Sequence, residues 1–307
     1  MKILILGAGG IGGYFGGCLA KSGADVTFLV RPARAAQLAR HGLIVKSPFG
    51  DLELAVKTVL AGQLTPGYDM IMITLKAYDL DAALTAVAPA VGANSAVLPF
   101  LNGVRHLDLI AARFGDKRVL GGVAYIAATL NADGEVVHLN QIHKLAFGEL
   151  SGERSARCEA LASVMAKARF NSVLSDTIRL DLWEKFVFLS TLAGMTCLMR
   201  AGVGAIMQAR DGETLMLEMF EECRKVAAAN GYAPRPQALE NTRKMLTERG
   251  SGFTASMLRD IERGGPTEGE HIVGDMLRRA EELKIEAPLL RAALCHLQAY
   301  EAIRAAG

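Results

Sequence analysis

The chain has 307 residues, 51% of them hydrophobic and 21% charged, with a formal net charge of +2. That length allows two domains of ordinary size, and the composition excludes a disordered chain. A charge balance so near neutral gives no electrostatic basis for binding nucleic acid or an anionic membrane.

The five cysteines (Cys18, Cys158, Cys197, Cys223, Cys295) are scattered, with neither a CxxC pair nor metal-ligand spacing. They suit a reducing compartment, as small apolar residues, and no metal is expected. The apolar run after Lys2 is broken by glycine too soon for a signal peptide or a membrane span, so a cytoplasmic chain is expected.

In chain order, Lys2-Ile3-Leu4-Ile5-Leu6 reads as a short strand buried on both faces. Gly7-Ala8-Gly9-Gly10-Ile11-Gly12 follows, a GxGxxG, and a helix-length segment then leads to Ser22-Gly23. Asp25-Val26-Thr27-Phe28-Leu29-Val30 reads as the next strand. Glycines placed between strand and helix in such a unit are the dinucleotide fingerprint. Gly7 permits the tight turn, Gly9 lets backbone approach a pyrophosphate, and Gly12 lets helix and strand pack closely. The helix N-terminus offers its free N–H groups to the phosphates.

An enzyme that prefers NAD usually carries Asp or Glu at the end of the second strand, where it holds the ribose 2′-hydroxyl. Here that place holds Val30-Arg31-Pro32, with Arg34 close behind. A guanidinium can pair with a 2′-phosphate, so NADPH is the expected cofactor, with Arg31 as its selector.

Residues 70–75 and 95–100 read as further strands, with a helix over 79–88 between them. Lys76 and Asn102 follow those strands, at the carboxyl edge where open parallel sheets bind ligands. Residues 118–150 give β-type segments with an Asp133-Gly134 turn and are expected to extend the sheet with antiparallel strands. A helix near 153–169 and a strand near 172–175 complete this half.

From about Ile178 the apolar spacing becomes helical, over 180–200 and 213–230. Thr267 and Glu270 form a capping-box pattern that predicts a helix to about Leu283, and Pro288 suits the first turn of a last helix. The expected fold class is α/β: an N-terminal Rossmann-type doubly wound sheet over 1–176, then an all-helical C-terminal domain over 177–307.

Several motifs in order resemble the ketopantoate reductase (2-dehydropantoate 2-reductase) family. They are the N-terminal glycine loop, Arg31, Thr74-Leu75-Lys76-Ala77, Leu101-Asn102-Gly103 and Leu182-Trp183-Glu184-Lys185, then Ser256 to Glu262 followed by Pro266-Thr267-Glu268. The resemblance implies hydride transfer from NADPH to the ketone carbon of a small 2-oxo acid, ketopantoate being the leading candidate. It implies Lys185 as general acid and Glu268 in the polar network around it, also close to the cofactor. It further implies Ser256 as a substrate ligand, Asn102 on the nicotinamide side, and Lys76 lining the cofactor or substrate pocket. A small 2-oxo acid is then the expected partner, and a homodimer stays open.

The chain also departs from the family pattern. Asparagines commonly follow the catalytic lysine at four and eight residues, and another precedes the substrate serine by three. Here those positions hold Leu189, Ala193 and Phe253. Loss of amides that bind a substrate hydroxyl weakens discrimination in its favour. A reductase of a more apolar 2-oxo acid, a hydroxyacid- or opine-type dehydrogenase, and an NADPH-sensing regulator on the same fold therefore stay open.

Overall fold

A computed structural model describes residues 1–306. The strands in chain order are β1 (Lys2–Leu6), β2 (Asp25–Leu29), β3 (Leu43–Lys46), β4 (Leu52–Leu54), β5 (Lys57–Val59) and β6 (Met70–Ile73). They continue with β7 (Ala96–Pro99), β8 (Leu120–Tyr125), β9 (Ala128–Leu130), β10 (Val136–His138), β11 (Lys144–Glu149) and β12 (Asn171–Leu174). Two compact units form: Met1–Leu101 with His106–Ile178, and Asn102–Arg105 with Arg179 onward.

In the first unit, an all-parallel sheet runs in the order β5-β2-β1-β6-β7. The chain moves outward on one side of β1, then returns to its other side. That reversal is the Rossmann arrangement, and it leaves a crevice at the carboxyl ends of β1 and its neighbours. β1 after its exposed Lys2, and β6 and β7 throughout, are apolar and buried because helices cover both faces of such a sheet. The helix Gly10–Lys21 packs tightly on it: a Cβ at Gly16 would lie 2.6 Å from the Ile5 side chain and 2.7 Å from the Phe28 ring.

The 118–150 segments are strands, but a single isolated parallel bridge, Val97 to Val119, is what ties them to the five-stranded sheet, and they build two further sheets. β9 and β10 join β3 and β4 in a four-stranded sheet ordered β4-β3-β10-β9. β8 and β11 pair antiparallel in a three-stranded sheet that β12 joins in parallel. The Asp133-Gly134 turn does link β9 to β10, with Gly134 at φ +78° and its N–H donated to the Asn131 carbonyl.

The second unit is helical. Its longest helix, Ile178–Met199, begins at the border of the units and is apolar enough to cross a membrane by length and composition. Two thirds of that stretch is buried inside the protein, as in the core helix of a globular unit. The helix Gly212–Ala229 matches its expected span closely, and the last helix, Pro288–Ala306, begins at Pro288 as expected.

The capping-box expectation needs correction. Glu270 does not reach back to Thr267; the Thr267 N–H donates to Glu301 Oε1 at 2.6 Å, and Glu270 accepts from Gln298. The segment Glu270–Gly274 is a π-helix, and α-helix follows only over Asp275–Glu282. Single-turn π segments are often found at functional sites.

Candidate active site

The glycine loop joins β1 to the helix Gly10–Lys21. Gly7 has φ +95°, a left-handed conformation that a side chain would strain. A Cβ at Gly12 would lie 2.1 Å from the Gly7 carbonyl oxygen and 2.3 Å from Thr74 Oγ1, so helix and loop touch there. Gly9 differs, because a Cβ on it would meet nothing within 4 Å. The space beside Gly9 is therefore open, and the first turn of the helix it begins carries no acidic residue. Free N–H groups without an opposing carboxylate fit a pyrophosphate.

Two neighbours brace the loop. Thr74 Oγ1, just past β6, donates to the Leu6 carbonyl at 2.7 Å. Arg34 donates to the Ala8 carbonyl at 2.8 Å and the Gly134 carbonyl at 2.6 Å. Arg34 is thus engaged with backbone, and the basic residue presented at the end of β2 is Arg31. The Arg31 side chain is 80% exposed and holds Asp79 at 2.8 Å, an exposed pair that other anions can displace at little cost. Lys76 is half-buried after β6, the strand beside β1. The first unit therefore brings the glycine loop, Arg31 and Lys76 to one edge of its sheet.

The other expected residues belong to the second unit. Lys185 lies on the helix Ile178–Met199, whose N-terminal half is firmly anchored. Arg235 bonds both Asp181 and Glu184. Trp183 stacks on the Tyr232 ring at 5.4 Å, and the Arg279 guanidinium lies over its ring at 5.2 Å. Asp275, itself buried, holds Arg279 in place at 2.9 Å. The Leu182-Trp183-Glu184 residues thus anchor the helix turn that presents Lys185.

Burial pushes the Lys185 ammonium down from its ordinary value to about 8, while the negative charge of Glu268 pulls it back up. Glu268 is buried two residues before the π-helix begins. Its carboxylate also raises the pKa of His271, against the burial that lowers it on balance. His271 has no motif around it in the sequence. Its ring packs beside Gly103, where a Cβ would come within 3.3 Å of it. Asn102, next to Gly103, is grouped with this unit, as are the exposed Ser256 and Phe253. Ser256 opens the helix Ser256–Glu262, and Phe253 stacks on Phe188.

His138 and the buried cysteines stand apart from these residues. His138 sits in the first unit, within hydrogen-bond distance of Ser47 Oγ (3.0 Å) and Asn140 Oδ1 (3.0 Å). Burial pushes the thiols of Cys18, Cys197 and Cys223 up to about 11, 12 and 12, so they stay protonated and unreactive at neutral pH. Among the described residues no cluster of His, Cys, Asp or Glu could hold a metal ion.

A Rossmann unit with an open glycine loop, joined to a helical unit holding a buried lysine near a carboxylate, defines a nucleotide-dependent oxidoreductase. Comparison with known proteins agrees: residues 3–152 match the family described as ketopantoate reductase PanE/ApbA, and residues 177–301 match its C-terminal domain. The chain belongs to the ketopantoate reductase family. It is 36% identical to the uncharacterized oxidoreductase YkpB of Bacillus subtilis, over 98% of this chain and 99% of that protein. A 2-dehydropantoate 2-reductase of Mesorhizobium japonicum is 29% identical, with 89% of each chain covered. The crystal structure of a PanE/ApbA family ketopantoate reductase from Ralstonia eutropha superposes with a TM-score of 0.90 at 25% identity, covering 99% of this chain and all of that one.

Proposed function

We propose that the protein reduces the carbonyl of a small 2-oxo acid to a 2-hydroxy acid with NADPH, ketopantoate being the first substrate to assay. The observation that carries this reading is Lys185, a lysine brought by burial to a pKa of about 8 and supported by Glu268. A proton donor with a pKa near the working pH is what a carbonyl reduction needs.

When bound, NADPH supplies the hydride that adds to the ketone carbon. The chain's own residues do the rest. The N–H groups at the start of the Gly10–Lys21 helix hold the pyrophosphate in the space that Gly9 leaves open, and Arg31 pairs with the 2′-phosphate. On the family resemblance, Lys76 is assigned to the cofactor or the substrate, and Asn102 to the nicotinamide. The Lys185 ammonium hydrogen-bonds the ketone oxygen, offsets its developing charge and delivers the proton. Glu268 keeps that ammonium protonated, and Ser256 binds the substrate. The protein acts as a cytoplasmic enzyme.

The test is NADPH consumption by purified protein with 2-oxo acids, in the native chain and in Lys185→Ala. Turnover that vanishes in a variant still able to bind NADPH supports the reading. Turnover that persists in the variant removes Lys185 from the chemistry, and binding without any turnover favours a nucleotide-sensing role.

A further inference from the structure

Lys185, Phe188 and Leu189 stand at i, i+3 and i+4 on one helix, so their side chains share a face. Phe188 and Leu189 keep part of their surface accessible, while the next two turns, from Ser190 to Cys197, are buried. Beside that face Phe253 stacks on Phe188, with ring centroids 6.1 Å apart and planes within 12° of parallel. Phe253 is held by its backbone: its carbonyl accepts from Val203 N–H at 2.9 Å, and the Ser251 carbonyl accepts from Gly204 N–H at 2.8 Å. The residue nevertheless remains 37% exposed. A large apolar ring, fixed in place and left partly open near a buried lysine, is an unusual use of surface.

The hydroxyls near Leu189 do not replace the missing amides. Thr191 donates to the Val187 carbonyl at 2.9 Å, and both Thr191 and Ser190 are fully buried. A substrate hydroxyl placed against Leu189 and Phe253 would lose water and gain no partner from either.

We infer that the 2-oxo acid reduced at Lys185 carries an aromatic side chain, which lies against Leu189 and the exposed face of the Phe188–Phe253 ring pair. The inference rests on Lys185 being the proton donor. In the reaction the hydride of NADPH adds to C2, the carbonyl oxygen takes the lysine proton, and NADP⁺ leaves; the aromatic group is untouched. A flat ring adds offset stacking to area burial, an advantage of about threefold to tenfold over an aliphatic group of similar size. A hydroxyl pointing into such a wall costs about tenfold or more.

The experiment compares kcat/KM for phenylpyruvate, 3-methyl-2-oxobutanoate and ketopantoate, with NADPH, in the native protein and in Phe253→Leu and Phe253→Asn. The expected order is aromatic, then branched aliphatic, then hydroxylated, with phenylpyruvate ahead of ketopantoate by about tenfold or more. Phe253→Leu keeps the apolar wall and loses the ring, so phenylpyruvate should lose about threefold to tenfold and the aliphatic acid less. Phe253→Asn should narrow the gap between phenylpyruvate and ketopantoate. Phe253 is a surface residue, and near-native melting temperatures would show that these variants fold. Ketopantoate or the aliphatic acid preferred by the native protein, or a phenylpyruvate rate indifferent to Phe253→Leu, overturns the inference and leaves Lys185 as proton donor. Absence of turnover with all three acids overturns that role too.

Discussion

Replacing Glu268 with glutamine should move the alkaline limb of the reduction profile to lower pH. Lys185 must be protonated to donate, so kcat/KM falls as pH rises through its pKa, which lies at about 8. Burial, which has brought it down from 10.5, is unchanged by the substitution; only the upward pull of the carboxylate is lost. If that pull is worth about one unit, the midpoint falls to about 7. At pH 8 the protonated fraction then drops from about a half to about a tenth, roughly a fivefold loss of kcat/KM. Near pH 6 both proteins are almost fully protonated, and this cause separates them little. The assay is kcat/KM for the best 2-oxo acid from about pH 6 to about pH 10, at saturating NADPH. An alkaline limb that stays put in Glu268→Gln, or moves upward, refutes the coupling.

Four other substitutions test separate parts of the structure. Gly9→Ala should fold normally, since its Cβ meets no protein atom, yet lose about tenfold or more in NADPH affinity measured by fluorescence titration. Gly12→Ala should lower the melting temperature by several degrees, because its Cβ strikes the Gly7 carbonyl; equal behaviour of the two variants would contradict the loop assignment. Arg31→Ala should raise KM for NADPH about tenfold and leave KM for NADH nearly unchanged; equal losses for both would remove its role at the 2′-phosphate. Burial raises the Glu149 carboxyl pKa, but hydrogen bonds from Arg157 and Ser155 outweigh that and hold it below the usual value. The pair therefore stabilises the fold at neutral pH and ceases to do so as pH falls through the depressed pKa. Arg157→Ala should cost about 1–3 kcal/mol in urea unfolding at pH 7 and much less in acid, and an equal cost at both would count against this account.

What could be read from the chain alone was mostly local. β1, the glycine loop, β2, β6 and the long lysine-bearing helix follow from apolar periodicity and from glycine placed between strand and helix. The strands β3, β4 and β5 were missed because they are short and, with Lys46, Glu53 and Lys57 in them, lack the continuous apolar run that marks β6. The destination of β9 and β10 was misread because their partners are set by tertiary packing: β10 pairs in parallel with β3, far behind it in the chain. A two-residue capping pattern at Thr267 and Glu270 pointed to an ordinary helix start, whereas the N–H in question is taken by Glu301 from the last helix. At the candidate site, the motif residues were legible by type and order. The neighbours that tune them were not, because the Phe188–Phe253 stack and the packing of His271 on Gly103 join residues far apart in sequence.

The most direct test of the central claim is a comparison of native protein and Lys185→Ala for both NADPH binding and NADPH-dependent reduction of a 2-oxo acid. If Lys185 delivers the proton, the variant binds NADPH with native affinity, keeps its melting temperature, and loses kcat by about a hundredfold or more. A variant that retains most of its kcat would show that the proton comes from elsewhere, and the buried lysine near Glu268 would then have only a structural role.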